Sequence, residues 1–117
     1  DGEKHSKYYT QGQANKIFHL IGQDQPRIIV VEDIVSAIKI SRQAYVMPLW
    51  GSQIGPERVR TLSGMVFKLW IWLDKDKAEY SLKTRQMASP YFDEVRCIIT
   101  DNDPKDYSDN DIRNILE

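Results

Sequence analysis

The sequence is poor in the residues that build disulfides, thiolate metal sites and membrane spans. It contains one cysteine, Cys97, and two histidines in 117 residues. A single cysteine excludes an intramolecular disulfide and a cysteine-rich zinc site, and it fits a reducing compartment. No run reaches the ~18 apolar residues that a membrane-spanning helix needs, and no signal-peptide pattern opens the chain. We therefore expect a cytoplasmic protein with no membrane partner.

The chain also lacks a strong charge of either sign. Its formal net charge is −1, although 28% of its residues are charged. A balanced charge gives no global basic field, so affinity for nucleic acid would need a local patch or another domain. The length predicts one domain with an independent core.

Acidic residues, in contrast, follow directly on hydrophobic runs, and they do so three times. Short apolar runs rich in β-branched and aromatic residues are typical of strands that are buried on both faces. If these strands are parallel neighbours, their acids meet at one edge of the sheet, where open α/β sheets bind ligands. Converging carboxylates predict a hard divalent cation, Mg²⁺ above all. The runs and their acids are residues 27–31 with Glu32, residues 67–73 with Asp74 and Asp76, and residues 95–100 with Asp103.

The order of the elements predicts the fold class. Helical and strand-like patterns alternate, which indicates an α/β fold with a mainly parallel four-stranded sheet and helices on both faces. Residues 1–26 are interpreted as a linker stub and an N-terminal helix that ends near Ile21, and residues 27–117 as the domain. A later helix over residues 77–87 is expected to bury Ala78 and Leu82.

Several strand-end residues are open to two interpretations. Asp74 and Asp76 would point the same way in an extended segment and could share a metal, but Asp is also common in solvated loops. Glu32 could act as a base or ligand, or could interact with the dipole of the following helix, a role for which Asp33 is the better candidate. Gly51 and Ser52 could let backbone N–H groups approach a phosphate, or could form an ordinary loop.

Four segments together resemble a known family. In order, they are Val30-Val31-Glu32, then 48–52 (Pro-Leu-Trp-Gly-Ser), then 71–78 with its Asp74-Lys75-Asp76, and finally Asp103-Pro104. This order is similar to that of Toprim domains, most of all those of bacterial and bacteriophage DNA primases, over roughly residues 27–116. The resemblance implies a Toprim-like fold.

The resemblance also implies an activity. Glu32, Asp74 and Asp76 would be catalytic and would hold Mg²⁺ or Mn²⁺, supported by Asp103. The reaction would be nucleotidyl transfer that joins ribonucleoside triphosphates into RNA primers on single-stranded DNA. Other domains of a primase would be needed for activity, a replicative helicase would be the partner, and a viral protein would work in the host cytoplasm.

The chain departs from the family at a few positions, and other functions stay open. Asp33 stands where the family has Gly, Ser36 where it often has an acid, and Lys75 between the paired aspartates. Another Toprim nuclease or topoisomerase would use the same site. A degenerate Toprim module could serve for protein docking. A phospho-accepting receiver domain would use Glu32, Asp33 and Asp74 together with Thr100.

Overall fold

The computed structural model describes residues 19–50 and 53–117. Strands and helices alternate strictly through this part of the chain, as the sequence pattern predicts. Three short 3₁₀ turns lie at Lys75–Lys77, Ser89–Tyr91 and Pro104–Asp106. The elements are β1 (Arg27–Val31), α1 (Ile34–Ile40), β2 (Tyr45–Pro48), α2 (Pro56–Ser63), β3 (Lys68–Ile71), α3 (Ala78–Ala88), β4 (Glu94–Cys97) and α4 (Asp109–Leu116).

The four strands form one sheet in the order β2-β1-β3-β4, and every pair is parallel. This confirms the predicted α/β fold class and the parallel four-stranded sheet. In the central pair, Val30 lies opposite Ile71. The carboxyl ends of β1 and β3 are therefore level with each other, which places the residues after them side by side.

Helices cover both faces of the sheet, because β1, β2 and β3 each carry apolar side chains on both sides. One face packs against α2 and α3 through residues such as Val59, Leu62 and Ala88. The other packs against α1 and α4, with Trp70 and Trp72 of the β3 segment in its core. The two tryptophans are buried, as expected for core residues.

Three expectations about local structure are wrong. Ile21 does not end a helix: it forms an antiparallel bridge to Val46 of β2, after His19 with a φ of 57°. The rest of the expected N-terminal helix, residues 10–18, lies outside the described residues. Two strands end early: β3 ends at Ile71 rather than residue 73, and β4 ends at Cys97 rather than near residue 100. Leu82 is 49% exposed, because α3 turns Ser81, Thr84 and Ala88 inward.

Within residues 19–50 and 53–117, no helix combines the length and apolar character that crossing a membrane requires.

Candidate functional site

The topology marks one position on the sheet as a crevice. The chain runs from β1 outward to β2, and then returns to the other side of β1 to form β3. Connections therefore leave the central pair of strands in opposite directions, and α/β sheets bind ligands at such a switch point, outside the carboxyl ends of the strands. Glu32 directly follows β1, and Asp74 follows the β3 segment. The sequence-predicted acids thus lie at the switch point.

The side chains of Glu32 and Asp74 lie close enough to interact through a hydrogen bond. Two carboxyl groups can share such a bond only when one of them carries a proton. Burial, the Asp74 side chain and the nearby Asp76 charge raise the pKa of Glu32 to about 7. Because the same hydrogen bond acts to lower the pKa of Asp74, it favours a proton on Glu32 over one on Asp74.

Asp74 is the more constrained member of this pair. Burial raises the pKa of its carboxyl group, and the negative charges of Asp103 and Asp33 act in the same direction. Its Oδ1 atom is buried, and no N–H or hydroxyl group in the described part of the chain donates to it. A buried carboxylate oxygen without a donor is costly unless a proton or a cation neutralises it. The chemistry of this atom fits a bound cation.

Asp76 lies near the pair but is not packed into it. The segment after Asp74 is a 3₁₀ turn over Lys75–Lys77 rather than the extended chain that was expected from the sequence. That Asp74 and Asp76 share a metal stays a prediction. Asp76 is exposed and acts on Glu32 through its charge. Among residues 19–50 and 53–117, no three Asp, Glu, His or Cys side chains are grouped so that they could hold a metal ion.

A two-carboxylate site is nevertheless a normal arrangement for Mg²⁺. This ion dehydrates reluctantly, keeps several waters, and is commonly held by one or two carboxylates together with substrate phosphates. Glu32 and Asp74 would be the two carboxylates of such a site, and their role as metal ligands stays a prediction. The predicted participation of Asp76 and Asp103 as further metal ligands stays a prediction.

Asp103 approaches the site through the backbone. Its Oδ1 atom accepts a hydrogen bond of 3.1 Å from the amide of Lys75, the residue between the paired aspartates. The loop after β4 is thereby tied to the loop after β3. Asp103 also adds negative charge near Asp74.

The chain matches no protein-family model, and no curated protein or solved structure matches it either.

Asp33 lies at the N-terminus of α1 and interacts with that helix, as its position in the sequence suggested. Its Oδ1 atom accepts a hydrogen bond of 2.8 Å from the amide of Ser36 and so caps α1. Its Oδ2 atom lies 4.0 Å from Nζ of Lys105. Ser36, at the position where the resemblance expects an acid, is fully buried, and its hydroxyl has no hydrogen-bond partner among the described residues.

Two lysines beside the acids were not singled out as site residues. Lys77 lowers the pKa of Glu32 through its charge, and Lys105 does the same to Asp74. Neither effect overcomes burial, since the pKa of each acid is still raised. Their closeness in sequence to the predicted acids could have identified both lysines, because Lys77 follows Asp76 and Lys105 follows Asp103-Pro104.

The remaining sequence-predicted residues divide into two groups. Gly51 and Ser52, the proposed phosphate-approach positions, lie outside the described residues. Thr100 is described, and its hydroxyl both accepts and donates a hydrogen bond. It accepts a hydrogen bond of 3.1 Å from Nε1 of Trp72 and donates one of 2.7 Å to the carbonyl oxygen of Asn102.

Proposed function

We propose that this chain is a metal-dependent nucleotidyl-transfer domain of the Toprim type, belonging to a DNA primase. It would act on ribonucleoside triphosphates and make RNA primers on single-stranded DNA. The observation that carries the proposal is the contact between Glu32 and Asp74 at the switch point, with an unpartnered buried oxygen on Asp74. The fold and the sequence resemblance support it.

The two carboxyl groups would hold Mg²⁺ or Mn²⁺ once Glu32 loses its proton. A divalent cation at this point supplies positive charge that activates an attacking 3′-hydroxyl and neutralises a triphosphate. Glu32, after β1, and Asp74, after the β3 segment, are the residues that would hold the cation. Asp76, on the exposed 3₁₀ turn, is within electrostatic range and would complete the acidic surface that faces the incoming nucleotide.

Nucleic-acid binding would depend on further surfaces. With a net charge of −1, this domain offers no global attraction to a phosphate backbone. In the proposed primase, another domain would supply the basic surface for the template. The helicase partner implied by the resemblance would bring that template to the site.

The receiver interpretation is weakened by the environment of Thr100. A receiver needs that hydroxyl to contact a phosphoryl group on Asp74. Here the hydroxyl bonds to Trp72 and Asn102, which fixes the loop after β4. This arrangement supports a structural role for Thr100 and favours the metal-only use of Asp74.

The test is primer synthesis by the complete polypeptide that contains this domain. Glu32→Gln and Asp74→Asn should each abolish synthesis without unfolding the domain, because each removes a ligand charge and keeps the side-chain shape. Glu117→Gln is the matched control, since it removes an exposed acid from the end of α4. Arg27, the first residue of β1, donates a hydrogen bond to the carbonyl oxygen of Leu116, the residue before Glu117. Glu117 therefore lies near the amino ends of the strands, whereas Glu32 and Asp74 follow their carboxyl ends.

Two results would overturn the proposal. One is full primer synthesis by Glu32→Gln. The other is stoichiometric phosphorylation of Asp74, seen by mass spectrometry after treatment with a small phosphodonor and Mg²⁺, which would identify a receiver. Cleavage of DNA without primer synthesis would instead indicate another Toprim enzyme.

A further inference from the structure

The 3₁₀ turn that follows Asp74 and contains Asp76 has no side-chain cap from its own N-cap residue. Asp74 occupies the N-cap position of Lys75–Lys77, with φ −61° and ψ 155°, but its side chain makes no capping hydrogen bond. An Asp at this position ordinarily accepts from an amide of the first turn. The carboxyl group of Asp74 contacts Glu32 instead. The first amide of the turn, that of Lys75, is therefore left to water or to another acceptor.

Asp103 provides that acceptor from a distant part of the sequence. Its Oδ1 atom lies 3.1 Å from the Lys75 amide nitrogen, across 28 residues of chain. A hydrogen bond to a carboxylate is stronger than one between neutral groups. Asp103 thus supplies the cap and leaves Asp74 available to the site.

The loop that carries Asp103 is anchored to the core. Trp72 is fully buried, and its indole nitrogen donates to Thr100, whose hydroxyl bonds to Asn102. The amide of Asn102 donates in turn a hydrogen bond of 3.2 Å to the hydroxyl of Tyr107. The ring centroids of Tyr107 and Trp72 lie 6.0 Å apart. These contacts give Asp103 a fixed position relative to the β3 segment that leads into Asp74.

We propose that Asp103 is a positioning residue: it holds the Lys75 amide, so that Asp74 faces Glu32, and it is not itself a metal ligand. The inference rests on the proposed function, because the loop that it positions is the proposed metal-binding loop. It differs from the role that the sequence resemblance implies for Asp103, which is direct support of the metal.

Two substitutions separate the two roles. Asp103→Asn keeps a side-chain oxygen that can accept from Lys75 but removes the charge, whereas Asp103→Ala removes the acceptor. Asp101→Ala, an exposed acid in the same turn, is the control. Amide hydrogen exchange at Lys75 is measured in EDTA, and Mn²⁺ affinity is measured by paramagnetic broadening of amide signals in the same domain.

We expect Asp103→Ala to speed exchange at Lys75 roughly tenfold, since the bond that protects the amide is lost. Mn²⁺ affinity should fall by about 10- to 100-fold in this variant, the usual effect of losing a group that orients a ligand. Asp103→Asn should stay within about threefold of the unsubstituted domain in both measurements. Asp101→Ala should match the unsubstituted domain.

The inference is overturned if Asp103→Asn loses as much Mn²⁺ affinity as Asp103→Ala while Lys75 stays protected, because Asp103 is then a ligand. It is also overturned if Asp103→Ala leaves exchange at Lys75 unchanged. An unsubstituted domain that binds no Mn²⁺ would contradict the proposed function separately. In that case the exchange data in EDTA still decide whether Asp103 holds the loop.

Discussion

Glu32→Gln should stabilise the metal-free domain at pH 8 and have little effect at pH 4.5. The pKa of Glu32 rises from its ordinary 4.5 to about 7 in the folded protein. Below pH 4.5 the carboxyl group is protonated in both the folded and the unfolded chain. Between pH 4.5 and about 7 the unfolded chain loses this proton while the folded protein retains it, so the free energy of unfolding falls across that window and levels off above it.

The magnitude follows from the size of that shift. A difference of roughly 2.5 pH units corresponds to at most about 3 kcal/mol. Glu32 is only partly buried, and screening by solvent reduces the effect to about 1 kcal/mol. A Gln side chain donates to Asp74 at every pH, as protonated Glu32 does, and thus removes this penalty. For a domain of this size, the change corresponds to about 4 °C in unfolding temperature.

The assay is urea or thermal unfolding in EDTA at pH 4.5, 6 and 8. The stability difference between Glu32→Gln and the unsubstituted domain should grow across this series, whereas Glu117→Gln should add no comparable pH dependence. A difference that stays constant with pH, or a Glu32→Gln variant that is less stable at pH 8, would refute the electrostatic reasoning.

Two further predictions concern structural residues. Thr100→Ala should lower the free energy of unfolding by about 1 kcal/mol, because Nε1 of buried Trp72 loses its acceptor. The variant should still support primer synthesis. Loss of synthesis in a folded variant would contradict the structural role of Thr100. Gly22→Ala should destabilise by about 1–3 kcal/mol, since Gly22 has a φ of 101° and an added Cβ would lie 2.3 Å from the carbonyl oxygen of Ala44. Gly55→Ala is the control, because nothing lies within 4 Å of its added Cβ, and it should change the free energy of unfolding by less than about 0.5 kcal/mol. Equal effects of Gly22→Ala and Gly55→Ala in denaturant unfolding would disprove the steric argument.

The sheet and the acid pair were predictable from the sequence because both depend on local pattern. Apolar runs define buried strands, and alternation with helices requires parallel pairing. Glu32 and Asp74 follow two such runs, so their convergence needs only that β1 and β3 be neighbours. The apolar runs alone did not predict the strand order that makes β1 and β3 neighbours.

Other features of the fold and the site depend on tertiary contacts, which the spacing of hydrophobic residues does not reveal. Leu82 was expected inside, but the buried side of α3 consists of small residues that fit under the sheet, including Ser81, whose carbonyl oxygen accepts from Sγ of Cys97. The 3₁₀ turn after Asp74 and its bond to Asp103 were also not predictable. That bond joins residues far apart in the sequence, and neither segment alone indicates it.

A Mn²⁺ titration of the domain, followed by paramagnetic broadening of amide signals near neutral pH, shows whether Glu32 and Asp74 hold the metal. We expect broadening centred on Glu32 and Asp74, its retention in Glu117→Gln, and its loss in Asp74→Asn. Broadening that spares the residues around Glu32 and Asp74, or that is unchanged in Asp74→Asn, would contradict the assignment of this carboxylate pair as the metal site.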